Sequence, residues 1–509
     1  MSYDALKFPT KKMLQSIARS IPSLRTSIRS LSSSSATAPS FHDDATWEQA
    51  WQQKVDAITG EVGSYDESAE QLREISKSGV LKFTDLRDRP ERFFASHRTL
   101  AERSPTIGPG FWIRFTVHYN LFGGTIMAVG GDEQLKLLED IQEKGELGCF
   151  ALTEQLAGVN SGLVVGTKIT WHQDEQEFIL ESPAENGANK NWISQGLVGD
   201  KAVVVADLNV GNESFGPHAF LMDLRQNGKL VDSVVLEDMG SKTVGNDLDN
   251  AKIFFNRVRL PKNSMLNRYA DIDDDGNYFQ KIKGIRTMEM IGQRLFSGRV
   301  AVAQAALEFR RKLFDMTKEY SDNKKCWSPG GNPVLSDIPQ LKSLYQEAEE
   351  RGDELDRFVK ICEEKLNSCL QEDILPTTEL TEAIAVAKIR AVEESIELCF
   401  RLKQEVGSYA LMTGAGFEQM DFLQCCKFAE GDSRILMLKM SRDRLRSYQK
   451  NGPSGDEDED ALCLDILTNV EQHVKTNGGD KQAAFDAEWE KFYKLASLIM
   501  ARISRVFLE

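Results

Sequence analysis

The sequence predicts a mainly α-helical chain with a β domain at its centre. The expected order is an N-terminal helical domain, an antiparallel β barrel or sandwich, and a C-terminal four-helix bundle. Two observations carry this. The apolar period is helical up to about Gly145, gives way to short β-rich runs from Gly148 to about Tyr278, and becomes helical again from about Ile282. Glycine and proline cluster between the long helical stretches, as in Pro329-Gly330-Gly331-Asn332-Pro333 and Leu375-Pro376. The 509 residues, 41% hydrophobic and 28% charged, have a globular composition and length for about three domains.

Residues 1–41 stand apart. They hold eleven Ser, one acid (Asp4) and six bases: Lys7, Lys11, Lys12, Arg19, Arg25 and Arg29. Leu14, Ile17, Ile21 and Leu24 share a helical face, although Pro22 shortens any such helix. An acid-poor, Arg/Ser-rich amphipathic start is the pattern of an organelle transit peptide. The expectation is a presequence over 1–41, a mature start between Ser32 and Asp44, and delivery to the mitochondrial matrix, with the peroxisome as alternative. A tail without an address is the plainer reading. The final Val506-Phe507-Leu508-Glu509 is not a Ser-Lys-Leu signal.

The remaining elements follow in order. Trp47, Trp51 and Val55 recur at helical spacing, and the helical domain is expected over 46–147. In 148–278, Lys168–Trp171 and Glu177–Leu180 flank a polar turn and read as a hairpin. Ala202–Ala206, His218–Asp223, Val231–Leu236 and Lys252–Val258 add strands. The bundle spans 282–449, from stretches Met290–Tyr320, Leu335–Leu370, Thr378–Leu411 and Ser433–Tyr448. Residues 450–460 read as an acidic linker, and 461–509 as a helical tail.

Composition removes several function classes. A net charge of −16 argues against nucleic acid as the main partner. No apolar run reaches the roughly 18–20 residues of a membrane-spanning helix. Eight Cys without a CxxC pair, and six scattered His without HExxH, indicate neither a disulfide framework nor a metal centre. GxGxxG and P-loop motifs are missing.

Three segments could carry chemistry. Gly148–Ser161, at the helical-to-β junction, offers backbone groups and the Thr153 hydroxyl to the edge of a flat heteroaromatic ring; an ordinary first strand is the alternative. Lys190-Asn-Trp-Ile-Ser194 pairs a stacking Trp with a hydroxyl; a core Trp before a turn is the alternative. Thr413-Gly-Ala-Gly-Phe417, followed by Phe428-Ala-Glu-Gly-Asp-Ser433, gives a flexible glycine loop and then Glu430 beside a helix start capped by Asp432 or Ser433. A carboxylate at a helix entrance is more often structural than catalytic.

Taken in order, these segments resemble the acyl-CoA dehydrogenase and acyl-CoA oxidase superfamily of flavoproteins, over about Trp47 to Arg446. Ala151-Leu-Thr-Glu154 is similar to the family's Ala-Leu-Thr-Glu flavin segment, and Lys190–Ser194 to its Lys-x-Trp-Ile-Thr. Thr413–Phe417 resembles its Gly-Gly-x-Gly-Phe/Tyr loop. Ala429-Glu430-Gly431 resembles the Tyr-Glu-Gly that carries its catalytic base. Gly130-Gly-Asp-Glu-Gln134, Gly148-Cys-Phe150 and Gly216–Arg225 are closer to the oxidase branch. The chain departs from the family at Val159, where Ser or Thr is usual, at Thr413, and at Lys324-Lys-Cys-Trp327, which replaces Arg-x-Phe-Gly.

The resemblance implies FAD as cofactor, fatty acyl-CoA as substrate, and α,β-dehydrogenation to the trans-2-enoyl-CoA in fatty acid β-oxidation. It makes Glu430 the catalytic base, its pKa raised toward neutrality by desolvation between flavin and substrate. Leu152, Thr153, Trp192, Ser194, Gly414 and Gly416 become cofactor residues; Val159 and Arg294 become substrate residues. Oxygen is the expected electron acceptor, with electron-transfer flavoprotein as alternative. A homodimer or dimer of dimers follows, because the family places the Gly414–Phe417 loop against a neighbouring subunit's cofactor. A non-catalytic scaffold that kept the fold is the reading from another class.

Overall fold

The computed structural model describes residues 43–58, 64–158, 165–183, 187–282, 294–476 and 478–509. The presequence expectation over 1–41 and the Val159 position lie outside them. The chain divides into two compact units. One holds the described residues up to Gly298 with Leu366–Pro376 and Thr413–Phe422; the other holds Arg299–Lys365, Thr377–Met412 and Leu423–Glu509.

The first unit opens with helices α1 (Asp44–Asp56), α2 (Tyr65–Ser78), α3 (Asp85–Asp88), α4 (Pro90–Ile107), α5 (Gly110–Thr116), α6 (Gly124–Val129) and α7 (Asp132–Lys144). Caps set their ends. Asp43 accepts from the Thr46 N–H at 2.7 Å, and Ser64 from Glu67 at 3.3 Å. Gly79 and Gly145 close α2 and α7 in the left-handed conformation, where a side chain is penalised. Trp47, Trp51 and Val55 bury one face of α1, as their spacing predicts. A seven-residue π-helical segment, Val117–Gly123, joins α5 to α6 and buries His118 and Asn120.

The β elements follow in the same unit. A six-stranded sheet contains β1 (Gly148–Ala151), β2 (Lys168–His172), β3 (Glu177–Glu181), β5 (Lys201–Val210), β6 (Glu213–Asp223) and β11 (Val258–Pro261). A three-stranded sheet runs β4 (Lys190–Ser194), β10 (Asn250–Phe255), β9 (Val234–Asp238). Short pairs β7 (Arg225–Gln226) with β8 (Lys229–Leu230), and β12 (Ala270–Ile272) with β13 (Tyr278–Gln280), complete the set. Both larger sheets feed one core, in which Cys149, Val204, Phe178 and Phe220 pack with Ile193, Ala251 and Ile253.

The hairpin expected at Lys168–Leu180 is present as β2–β3. The uniformly antiparallel expectation needs correction. β5 pairs parallel with β1 over its first half and with β2 over its second, while β6 runs antiparallel along its other edge. Parallel pairing needs a long crossover, and the chain between β1 or β2 and β5 supplies it. Ala202–Ala206 are all fully buried, as befits a strand with neighbours on both edges and both faces covered.

The long helices that follow are α8 (Arg294–Asn323), α9 (Pro339–Gln371), α10 (Thr378–Glu405) and α12 (Ser433–Asn451), with short α11 (Asp421–Phe428) before α12. In the second unit, Gln304 meets Glu363 and Arg311 meets Asp356, so α8 and α9 run antiparallel. Arg351 bonds Glu394 and Glu397, and Arg390 bonds Glu354, so α9 and α10 do too. These pairs tie neighbouring helices together, while Ala383, Ile384, Val386, Ile389 and Val392 of α10 are buried.

The acidic run needs a second correction. Glu457–Asp460 form the first turn of α13 (Glu457–Thr476), where acids meet the positive end of the helix dipole. Glu459 is fully buried and pairs with Arg444 of α12 and Arg502. The tail continues as α14 (Lys481–Ala487) and α15 (Trp489–Leu508), and Ser441 Oγ of α12 donates to the Phe492 carbonyl at 2.5 Å. Among the described residues no helix is long and apolar enough to cross a membrane.

Candidate active site

In the first unit, the residues after β1 leave the sheet and run beside the start of β4. The Asn191 N–H donates to the Thr153 carbonyl at 2.9 Å, and the Gln155 N–H to Asn189 at 3.1 Å. A buried ion pair fastens the two segments. The Glu154 carboxylate accepts from Lys190 Nζ at 2.8 Å and from the backbone N–H groups of Gly166 and Thr167 at 2.7 and 2.9 Å. Lys190 Nζ also donates to the carbonyls of Leu152 (3.2 Å) and Val205 (2.7 Å). Burial lowers the Lys190 pKa to about 8 against the pull of Glu154. Burial pushes Glu154 the other way, but Lys190 and the two N–H donors bring it below the ordinary carboxylate value.

Leu152, Thr153, Trp192 and Ser194, expected together from the sequence, therefore lie on adjoining segments. Trp192 has a left-handed backbone (φ 57°) and an indole that is 56% exposed. For a bulky residue that conformation is strained, and such strain is concentrated at ligand sites. Ser194 Oγ accepts from Asn250 Nδ2 at 3.0 Å across the β4–β10 pair.

Arg114 of α5 fixes the far end of β4. Its fully buried guanidinium bonds Asp249 Oδ1 (3.1 Å), Gln195 Oε1 (3.2 Å), Ser68 Oγ (3.1 Å) and the carbonyls of Tyr65 and Asp247. Gln195 passes the link on, donating to the Gly148 carbonyl at 2.7 Å. Nearby His118 Nδ1 accepts from the Gly148 N–H at 3.3 Å, and burial lowers its pKa to about 3.

Gly414 and Gly416 also belong to this unit. Both take positive φ, 85° and 86°, and nothing lies within 4 Å of a Cβ built on Gly414. Within one chain the backbone conformation, and not a crowded neighbour, is what calls for glycine there. The Gly414 N–H donates to Glu418 Oε1 at 2.5 Å.

Glu430 lies in the second unit, on the turn between α11 and α12. It is partly buried and has a left-handed backbone (φ 57°), followed by Gly431 at φ 97°. Its carbonyl accepts from Arg299 Nε at 2.9 Å. Burial lowers the Arg299 pKa to about 10, opposed by Glu430. Asp432 caps α12, as one of the two sequence expectations had it, accepting from the Arg434 and Ile435 N–H groups at 2.9 and 3.2 Å. Trp192 and Glu430 are thus two of the eight described non-glycine residues with positive φ.

Arg294 is the first residue of α8. Lys324–Trp327 opens the loop after α8, with Trp327 80% exposed. A cavity of about 970 Å³ in the second unit is lined by Ile389, Met437, Trp489, Tyr493 and Met500 among others, and no expected site residue lines it.

Sequence reasoning missed Arg114, Arg299 and Lys388, and gave no role to Glu154 or Lys190. The available signal was a lone cation inside an apolar run, as in Phe111-Trp-Ile-Arg114-Phe and Ala385-Val-Ala-Lys388-Ile. A buried cation must find partners, and here they lie far away in sequence.

No protein-family model matches the chain. An acyl-coenzyme A oxidase-like protein of Mus musculus is 25% identical over 407 residues, covering 78% of this chain and 62% of that protein. The peroxisomal acyl-coenzyme A oxidase 2 of Arabidopsis thaliana is 30% identical over 294 residues, covering 53% of this chain and 41% of that protein. The chain spans less than two thirds of the length of either relative. In fold it is similar to acyl-CoA oxidase-2 of Caenorhabditis elegans, solved bound with FAD, ascaroside-CoA and ATP: the TM-score is 0.73 at 17% identity, covering 91% of this chain and 75% of that one. Helices, then β sheets, then long helices, make the chain similar in fold to an acyl-CoA oxidase, and its relatives in sequence are acyl-coenzyme A oxidases and an oxidase-like protein, in line with the resemblance of its motifs.

Proposed function

We propose that this chain is an FAD-dependent, acyl-CoA oxidase-like enzyme that removes the α and β hydrogens of a fatty acyl-CoA thioester to give the trans-2-enoyl-CoA. The observation that carries the reading is Glu430, a carboxylate on a left-handed turn at the entrance of α12, its carbonyl tied to Arg299. The α C–H of a thioester is a weak acid. It needs a base held against it and a donor for the charge that develops on the thioester oxygen. Glu430 suits both tasks: its carboxylate receives the α proton, and its backbone N–H is the donor that the family resemblance implies.

The first unit suits a flavin. Trp192 offers an exposed indole face, with the backbone of Leu152–Thr153 alongside and the Ser194 hydroxyl two residues on. A flat ring with a polar edge matches a wall of that kind. Leu152, Thr153, Trp192 and Ser194 would hold it. When bound, FAD supplies the two-electron acceptance that takes the β hydrogen as hydride. Arg294 and Val159 remain the proposed substrate residues, and Gly414 and Gly416 would face the cofactor of a neighbouring copy in a homodimer or dimer of dimers.

The oxidase names of the relatives support oxygen as acceptor; electron-transfer flavoprotein is the alternative. The peroxisomal name of the Arabidopsis relative supports the peroxisome over the mitochondrial matrix expected from residues 1–41. The test is turnover of acyl-CoA substrates of several chain lengths by the flavin-loaded protein, with oxygen and with electron-transfer flavoprotein. Hydrogen peroxide formed in step with enoyl-CoA supports the oxidase. Flavin binding without turnover of any substrate sinks the catalytic reading in favour of a scaffold.

A further inference from the structure

The turn that carries Glu430 is closed by a buried lysine. Lys388 lies in the middle of α10 and is fully buried, on a face otherwise built from Ala, Ile and Val. A cation in such a place is tolerated only when its protons are all used. Lys388 Nζ donates to the Lys427 carbonyl at 2.7 Å, the Gly431 carbonyl at 2.9 Å and Ser433 Oγ at 3.2 Å. One acceptor is on α11, one is the residue after Glu430, and one opens α12. Carbonyls at a helix end have no partner within the helix, so this lysine does for the end of α11 what a further turn would have done. From the α8 side, Arg299 Nε holds the Glu430 carbonyl at 2.9 Å. Two cations on two different helices thus hold the successive carbonyls of Glu430 and Gly431, the pair whose φ angles are 57° and 97°.

We propose that Lys388 is the positioning residue for the catalytic base: its three hydrogen bonds fix the Glu430–Gly431 turn, and with it the direction in which the Glu430 carboxylate meets the α proton. The proposal rests on the reading of Glu430 as base. Lys388 itself touches neither substrate nor cofactor in this role. Its chemistry is that of a rigid three-donor strut, which neither a longer guanidinium nor a neutral side chain reproduces. Burial lowers its pKa to about 8, which agrees with a site that water does not reach.

Lys388→Met tests this, because it keeps length and apolar fit while removing all three donors. The purified, flavin-loaded variant should keep KM within about threefold, while kcat falls at least about tenfold, the pattern of an interaction used in the transition state. The isotope effect with an α-dideuterated acyl-CoA should rise, since a misdirected base makes proton removal limiting. Amide hydrogen exchange of residues 427–433 should quicken. Lys388→Gln, which keeps a neutral donor, should recover part of kcat, and it carries the same measurements if the Met variant fails to fold. Unchanged exchange at 427–433 overturns the strut. A kcat loss matched by lost flavin, with the isotope effect unmoved, overturns the positioning role in favour of ordinary packing. Glu430→Gln, run in parallel, separates the two readings: if it keeps its kcat, the base assignment has failed and the catalytic role of Lys388 fails with it, whatever the exchange data report.

Discussion

Glu154→Gln keeps the shape of a buried side chain and removes its charge. The carboxylate accepts three hydrogen bonds, from Lys190, Gly166 and Thr167. An amide oxygen can retain part of this set, while the new NH₂ faces a donor. Removing one partner of a buried pair costs about 3–5 kcal/mol when the remaining charge has no escape. Lys190 has one. With its pKa already lowered to about 8, shedding its proton near neutral pH costs little. Without Glu154 the pKa falls further, and the neutral amine keeps the Leu152 and Val205 carbonyls. The expected loss at pH 7 is then that of one charge-assisted hydrogen bond, about 1.5–3 kcal/mol. The pH dependence follows from the direction of the shift. The folded-state pKa of Lys190 lies below its usual value, so the unfolded chain holds the proton more tightly, and stability rises with pH from the folded pKa to the unfolded one. That window opens near pH 8 in the wild type and lower in the variant. Between pH 7 and 8 the variant therefore gains stability that the wild type does not, and its deficit narrows. Urea unfolding followed by circular dichroism at the two pH values measures both. A loss under about 0.5 kcal/mol, the size of a neutral surface change, or a deficit that widens with pH, would refute the reasoning.

Glu430→Gln should lower kcat by at least about a hundredfold with flavin content and substrate binding kept, because a general base acts mainly in the transition state; peroxide or enoyl-CoA formation measures it, and near-normal turnover removes Glu430 from the mechanism. Trp192→Ala should reduce flavin retained after extensive dialysis, read from the visible absorbance, and full retention would count against the stacking wall. Stability should fall with acid from about pH 6.5 toward pH 4, because burial lowers the pKa of His97 to about 4 and of His118 to about 3, and the unfolded chain takes up those protons first. Unfolding midpoints that stay flat over that range would show that neither histidine is buried neutral.

The helices were legible because their period and their caps agree. Trp47, Trp51 and Val55 face the core together, and Asp432 starts α12 where a cap was expected. The β-rich runs were legible too, but not their direction of pairing. Ala202–Ala206 is apolar whether its neighbours run parallel or antiparallel, and the choice rests on how the long chain between β2 and β5 crosses over. The acidic run was misread because charge alone does not separate a solvated linker from a helix start. Glu459, buried between Arg444 and Arg502, decides for the helix, and neither arginine is near it in sequence. At the proposed site, Glu430 is singled out only by its place in an ordered series of motifs. Its left-handed backbone, which it shares with Trp192, has no local signature in Phe428-Ala-Glu-Gly-Asp.

Three buried cations account for what was hidden, and they follow one rule. Arg114 and Lys388 each sit in an apolar stretch and Lys190 between two asparagines, and each sends hydrogen bonds to main-chain carbonyls distant in sequence. A strand or helix interior has no carbonyls to spare, because its ladder uses them. Most of the carbonyls used belong to places where regular structure stops: Leu152 after β1, Asp247 before β10, and Lys427 and Gly431 around the turn into α12; Val205, inside β5, lies where that edge passes from β1 to β2. Such breaks are also where a backbone can take up unusual angles and offer groups to a ligand. A buried cation therefore points, through its hydrogen bonds, to a break that must be held rigid. In this chain each of the three leads to a segment holding or adjoining a proposed site residue: Lys190 to Leu152, Arg114 through Gln195 and Asp249 to the end of β4 at Ser194, and Lys388 to the turn of Glu430.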